Sequence, residues 1–410
     1  MTQSNTGYHA TFMDRATPPS VLTLVIIAGV APLSMNMFLP SMPAMATYFG
    51  ADYSVIQLAV SGYLAATGLL QLFIGPLSDR FGRRPVLIWS AVAFLLATLG
   101  CIHAPTVELF LVCRLGQAVA ATGIVLSRAI VRDVVPMNQA ASMIGYVTTG
   151  MAVMPMVGPM LGGLLGAAFG WQAVFWALFG SGCAMLALTL LDLGETNTHK
   201  SGSFGEQFRQ YPELLTSRRF WGYAMVSAFA SGAFFAFLGG APYVGSTILG
   251  IPEQKLGLYF GLIAMGYMSG NFLTGRYVQR MGVGRMLVTG ATTSIMGMVL
   301  VLVLFLAGIQ TPLSMFGGIF FVGLGNGLTM PSAQSGMLSV KPELAGTASG
   351  LGGAIMIGGG AVLSAVTGAL LGPETGAWPL ILMMLGSLCL GLVATVYTLG
   401  IERAVAAKAG

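Results

Sequence analysis

Apolar stretches long enough to cross a lipid bilayer alternate with short polar intervals along almost the whole chain. At about 20 apolar residues per crossing, the pattern predicts twelve helices. They lie near residues 20–45, 54–76, 84–103, 106–131, 138–168, 171–192, 219–248, 255–276, 284–308, 311–337, 344–370 and 377–400. One long polar interval divides them six and six. The expected organisation is a tail over 1–19, a six-helix bundle over 20–192, a central loop over 193–218, a second bundle over 219–400 and a tail over 401–410. The first apolar run is far longer than a secretory h-region and leads into further spans, so 1–19 reads as a polar tail rather than a leader. In the central loop Phe204, Phe208 and Leu214 are spaced for a short amphipathic helix on the membrane surface, a plain linker being the alternative.

Composition agrees with a chain solvated by lipid. Hydrophobic residues make up 55% and charged residues 8%, against roughly 25% charged in a soluble domain. The net charge of +5 is scattered over the intervals between spans, so no nucleic-acid partner is expected. With the amino terminus inside, every basic residue except Lys255 and Arg114 falls inside as well. Basic loops stay cytoplasmic, which places both termini in the cytoplasm and Asp52, Glu108, Glu253 and Glu374 at the outer side. Cys101, Cys113, Cys183 and Cys389 fall inside apolar spans at unrelated spacings and read as small apolar residues.

The stretch GPLSDRFGRRPVL, Gly75 to Leu87, packs Asp79, Arg80, Arg83 and Arg84 between two spans. It is expected to be a short interfacial loop, with Gly75 and Gly82 supplying the turns. Its glycines and Arg80 recur 200 residues later as Gly275, Arg280 and Gly282, with Gln279 in place of Asp79; Gly150 and Gly158 likewise match Gly350 and Gly358. Such a repeat implies two bundles related by an axis along the membrane normal, with a substrate site between them near the midplane.

Two further patterns stand out. In helix 5, Gly150, Gly158, Gly162 and Gly166 recur at multiples of four, as do Gly346, Gly350, Ala354 and Gly358 in helix 11. Small-residue ladders let helix backbones approach closely in lipid, while Pro155 and Pro159 should bend helix 5. Helix 4 carries Arg114 deep in its span. A charge there costs roughly 2.5–3.5 kcal/mol on insertion scales and usually faces a cavity with a partner; the alternative is that Arg114 bonds neighbouring carbonyls and holds helices 1 and 4 together.

The pattern G-x-L-x-D-R-x-G-R-R-x-x-L over 75–87 resembles the signature between the second and third helices of the major facilitator superfamily. GPMLGG, with Gly158, Pro159, Gly162 and Gly163, resembles the antiporter motif of its drug exporters, and R-x-x-Q, Arg114 to Gln117, resembles its helix-4 motif, with Ala118 where many members have glycine. Together with PLSMNMFLPSMP, SGYLAATGLLQLFIGP and AGTASGLGG, the chain is similar to the bicyclomycin/chloramphenicol-resistance branch of the drug:proton antiporters over nearly its whole length. The resemblance implies an all-α membrane protein with the major facilitator fold, twelve transmembrane helices in two six-helix pseudo-symmetric bundles. It implies a conformational gate built from Gly75, Asp79, Arg80, Gly82, Arg83, Arg84 and Asp133, with Asp79 against the start of helix 11 at Pro342–Glu343 and Arg83 bridging to Asp133. It also implies roles for Tyr63, Arg114 and Gln117 in coupling or substrate binding. One departure matters: the branch usually has aspartate where this chain has Asn36, which cannot titrate, and none of the 13 acids falls mid-span.

Further cavity candidates are Gln71, Met35, Met37 and Phe38, the helix-7 aromatics Phe234, Phe235 and Phe237, and the polar Asn271 and Asn326. No nucleotide-binding loop, metal-ligand cluster or nucleophile–base arrangement is visible, so no cofactor, metal or catalytic residue is expected. The reading is a monomeric drug-efflux transporter of the bacterial inner membrane, exchanging small drug-like compounds for protons by alternating access. The alternatives are a metabolite exporter or facilitator without proton coupling, and a non-transporting membrane sensor.

Overall fold

The structure, a computed structural model, describes residues 10–135, 143–144, 146–147, 150–151, 153–197, 212–341 and 344–409. It is all-helical. The principal helices are α1 (Val21–Phe49), α2 (Tyr53–Phe81), α3 (Arg83–Ile102), α4 (Val107–Val134), α5 (Met154–Phe169), α6 (Trp171–Leu191), α7 (Arg218–Ile248), α8 (Glu253–Met281), α9 (Val283–Leu306), α10 (Pro312–Leu338), α11 (Ala345–Leu370) and α12 (Trp378–Ala409). Eleven of these contain a window long and apolar enough to cross a membrane, and the apolar Val157–Phe169 belongs to α5. Large apolar side chains point outward, Trp89 at 74% exposure and Phe272 at 70%, an arrangement that suits lipid and not water.

Local chemistry sets the helix ends. Ser20, Thr106 and Ser217 accept a hydrogen bond from the backbone N–H three residues on, and Thr311 and Ser314 form a reciprocal capping box at the start of α10. Gly82 and Gly282 separate α2 from α3 and α8 from α9 at φ +101° and +79°, a left-handed region that favours glycine.

Several expectations need correction. The 75–87 stretch is not an open loop: α2 runs through Phe81 and α3 begins at Arg83, so Gly82 alone makes the break and Gly75 is helical. Helix 1 is interrupted after Asn36 by a 3-10 turn, Leu39–Ser41, before Met42–Phe49, because Pro40 and Pro43 cannot donate to an unbroken ladder. Phe204, Phe208, Pro342 and Glu343 lie outside the described residues.

Helices α1–α6 and α7–α12 form the two bundles. They meet along two main seams, α2 against α11 and α5 against α8. Helix α7 is the most enclosed, packed between α10, α11 and α12.

Candidate functional site

A cavity of about 240 Å³ lies between the bundles. Asn36 of α1 and Pro155 of α5 contribute from one side; Ser231 and Phe234 of α7, Phe260 and Tyr267 of α8, and Asn326 and Gln334 of α10 contribute from the other. The lining is mostly apolar, Met151, Met330 and Met356 included, with a few neutral polar groups, and no charged side chain stands among the described lining residues. Unbranched, polarisable methionines suit ligands of varied shape.

At one end the halves are tied together. The Tyr53 hydroxyl donates to the Gly239 carbonyl at 2.8 Å, Gln57 donates to the carbonyl and hydroxyl of Ser364, and the Ser41 hydroxyl donates to the Glu253 carboxylate. The antiporter-motif glycines sit at this seam. A Cβ on Gly162 would collide with the Met37 carbonyl, one on Gly163 would lie 2.7 Å from the Glu253 carbonyl, and one on Gly257 would strike the Pro159 carbonyl. The small residues therefore bring α1, α5 and α8 into backbone contact. Gly158 is looser: its added Cβ would stand 3.5 Å from its neighbours. Toward the other end the cavity is lined by the exposed Gln334.

Arg114 lies in the interior of the first bundle, away from the cavity lining, and is fully buried. Its Nη1 donates to Ser34 Oγ at 2.8 Å and to Gln117 Oε1 at 2.6 Å, and its Nη2 to the Ser34 carbonyl at 2.7 Å. The guanidinium lies 4.4 Å from the ring centroid of Phe38 and 4.2 Å from that of Tyr63. Two aromatic faces and three acceptor contacts replace water around the cation. Gln117 passes the chain on to Thr98 at 2.7 Å, and Tyr63 donates to the Ala31 carbonyl at 3.1 Å. The expected group thus splits: Tyr63, Arg114 and Gln117 come together with Ser34 and Phe38, whereas Asn36 faces the cavity and donates to the Pro32 carbonyl at 2.6 Å. Of the other candidates, Phe234 and Asn326 line the cavity, while the Asn271 amide returns to the Tyr267 carbonyl.

At the α2–α3 junction Arg83 bridges Asp79 and Asp133, 3.1 Å from the latter. Arg80 is exposed and lies over the Phe81 ring, and Arg84 donates to the Leu190 carbonyl at 3.4 Å. Sequence reasoning missed two partners here. Glu195 accepts the backbone N–H groups of Arg83 at 2.9 Å and Arg84 at 3.3 Å, placing a carboxylate on the amino end of α3. Asn197 donates to the last carbonyls of α2, reaching that of Asp79 at 3.0 Å. Two clasps were also missed. Asp192, after α6, accepts from the backbone of Met13 at 2.6 Å and Ser20 at 2.9 Å; Glu402 of α12 takes a two-pronged bond from Arg219 and one from the Tyr223 hydroxyl. Single acids near span ends carry no motif that would have singled them out.

Residues 24–365 match the family model of the Major Facilitator Superfamily. The chain belongs to that superfamily. The transporter is 31% identical over 382 residues to the chloramphenicol resistance protein of Pseudomonas aeruginosa, covering 91% of this chain and 89% of that one. It is 27% identical over 357 residues to a bicyclomycin resistance protein homolog of Haemophilus influenzae, covering 85% and 89%. These relatives place it in the drug-efflux branch of the superfamily. Its fold is also that of a bacterial homolog of the human lysosomal transporter Spinster in an inward-facing, unoccupied conformation, with TM-score 0.71, 17% identity and coverage of 93% of this chain and 96% of that one. A D-xylose-proton symporter gives TM-score 0.71 at 15% identity, with coverage of 92% and 96%.

Proposed function

We propose that the protein exports small, uncharged amphipathic compounds across the bacterial inner membrane by alternating access, with drug:proton antiport as the leading mechanism and the monomer as the working unit. The observation that carries this reading is the cavity between the bundles, tied shut by cross-half hydrogen bonds at the Glu253 end. The positive-inside rule puts the opposite, arginine-rich end in the cytoplasm, so the described state would load from inside. The names of the two relatives bring phenicols and bicyclomycin into the candidate set. A cavity without a counter-anion favours neutral compounds over quaternary ammonium dyes.

The test is chloramphenicol accumulation in cells with and without the protein, before and after the proton gradient is collapsed. Expression should lower accumulation, and collapse should restore it. Unchanged accumulation of every compound tried would point to a sensor on the same fold. A second reading, export or facilitated diffusion without proton coupling, is favoured by Asn36 and by the lack of a carboxylate among the described cavity-lining residues; efflux that persists after collapse would establish it.

A further inference from the structure

A groove of about 520 Å³ opens between α9 and α12, at the arginine-rich end of the second bundle. Met281, Gly284, Arg285, Val288, Leu399 and Arg403 line it. Gly284 brings the two helices close, since a Cβ there would lie 2.8 Å from the Leu399 side chain. Arg285 and Arg403 are exposed, and among the described residues neither is paired with a carboxylate. The adjacent acid, Glu402, is committed to Arg219 and Tyr223. The internal repeat offers a direct comparison. In the first bundle Gly82 precedes α3, and Glu195 accepts the backbone N–H groups of Arg83 and Arg84. Gly282 precedes α9 in the same way, but no side chain caps that helix and its first turn holds no acid. The first bundle supplies its own anion at this place, and the second presents two arginines instead.

Below the arginines the groove runs into apolar surface. Met296 follows Arg285 on α9 by three helical turns, and Val396 precedes Arg403 on α12 by two. Both spacings return to the same helix face, and both side chains are exposed. At ~1.5 Å per residue the α9 track is roughly 16 Å long, about half of a ~30 Å hydrocarbon core. We propose that Arg285 and Arg403 bind the phosphate of an anionic phospholipid whose acyl chains lie along this track. The guanidinium fork matches phosphate oxygens, and the positive-inside rule puts this end of the molecule at the cytoplasmic headgroup level. A free phosphate satisfies the arginines but makes no use of the track. A zwitterionic phospholipid covers the track but brings its own cation to the arginines. An anionic phospholipid does both, and joins the inner ends of α9 and α12 much as Glu195 ties the segment after α6 to α3.

The test is native mass spectrometry of the full-length protein released from nanodiscs of equal phosphatidylglycerol and phosphatidylcholine. A basic side chain at the membrane surface is worth about fivefold in binding an anionic lipid, so the native protein should retain phosphatidylglycerol with roughly twentyfold preference. Arg285→Gln and Arg403→Gln should each cut that preference about fivefold, and the double variant should abolish it. Arg403→Lys should keep part of it. Arg276→Gln removes an exposed arginine of α8 that does not line the groove, and it should change nothing. Equal retention of the two lipids by the native protein overturns the site. An equal loss in Arg276→Gln overturns it too, by reducing the preference to general surface charge. Displacement of the retained phosphatidylglycerol by millimolar inorganic phosphate would assign the arginines to a soluble anion and overturn the lipid.

Discussion

Gln57 of α2 and Ser364 of α11 meet across the two bundles, the Gln57 amide lying 2.7 Å from both the carbonyl and the hydroxyl oxygen of Ser364. The pair is fully buried, and a Cβ on Gly239 or Gly368 would intrude on the Gln57 side chain. The carboxamide therefore fills a slot made by two glycines of the opposite half. Removing it should release the closed end. Each lost hydrogen bond is worth about 1 kcal/mol, so Gln57→Leu should raise the population open at this end by roughly an order of magnitude. Leu238 of α7 also lines the cavity, so the check is the alkylation rate of Leu238→Cys by a membrane-impermeant maleimide added from that side, in a background without the native cysteines. An unchanged rate would show that Gln57 does not hold the seal.

The glycines of the α5 seam should not respond alike. Gly162→Ala pushes a methyl into the Met37 carbonyl, whereas Gly158→Ala meets neighbours at an ordinary 3.5 Å. Overpacking of the first kind costs about 1–3 kcal/mol. The expected outcome is a large fall in thermal stability and efflux for Gly162→Ala and near-native behaviour for Gly158→Ala, read by unfolding in detergent together with drug accumulation. Equal effects would mean that the motif acts through something other than backbone approach.

Arg114→Ala should destabilise the first bundle by about 2–5 kcal/mol, since it opens a void between Phe38 and Tyr63 and strands the Ser34 and Gln117 acceptors. Arg114→Lys should recover less than half, because an ammonium cannot fork to two acceptors while lying flat between rings. Membrane yield and thermal unfolding decide it. A variant as stable as the native protein yet unable to export would assign Arg114 to transport rather than to packing.

The α2–α3 arginines offer an internal control. Arg83 bridges two carboxylates, whereas Arg80, among the described residues, pairs with no carboxylate and lies over Phe81. At equal membrane levels, Arg83→Ala should lose most chloramphenicol efflux and Arg80→Ala little. Parity between them would remove the carboxylate bridge from the mechanism.

Asn36→Asp should create a carboxyl group in a cavity whose described lining residues include none. The native amide donates to the Pro32 carbonyl at 2.6 Å; an ionised carboxylate there would face that oxygen with no proton to give, so the variant's acid is driven to bind one. Drug-induced proton release in inverted vesicles should be larger for the variant than for the native protein. Release already equal in the native protein would place coupling elsewhere.

Hydropathy alone revealed the spans and their division because lipid forces every crossing to be helical and apolar. The pairing of Arg83 with Asp133 was also legible, through the motif around Gly82. What the pattern hid is three-dimensional. Arg114 marks itself as costly, yet nothing in its spacing shows that Phe38 and Tyr63 close over it, nor that Asn36, at the end of the helical segment before the proline break, faces the cavity instead. Glu195 and Asn197 look like ordinary linker residues until the ends of α2 and α3 arrive beside them.

Asp192 and Glu402 perform the same service in the two halves. Each stands at or near the end of a bundle's last helix and grips the start of its first, Asp192 through the backbone of Met13 and Ser20, Glu402 through Arg219 and Tyr223. The six helices of each half are thereby closed into a hoop whose two loose ends are knotted together. A hoop of this kind resists splaying, so if the halves exchange access by the proposed mechanism, each would move as a stiff unit about the shared seams. A push at one end of the cavity would then reach the far end as tilt of a whole hoop rather than as bending of individual helices.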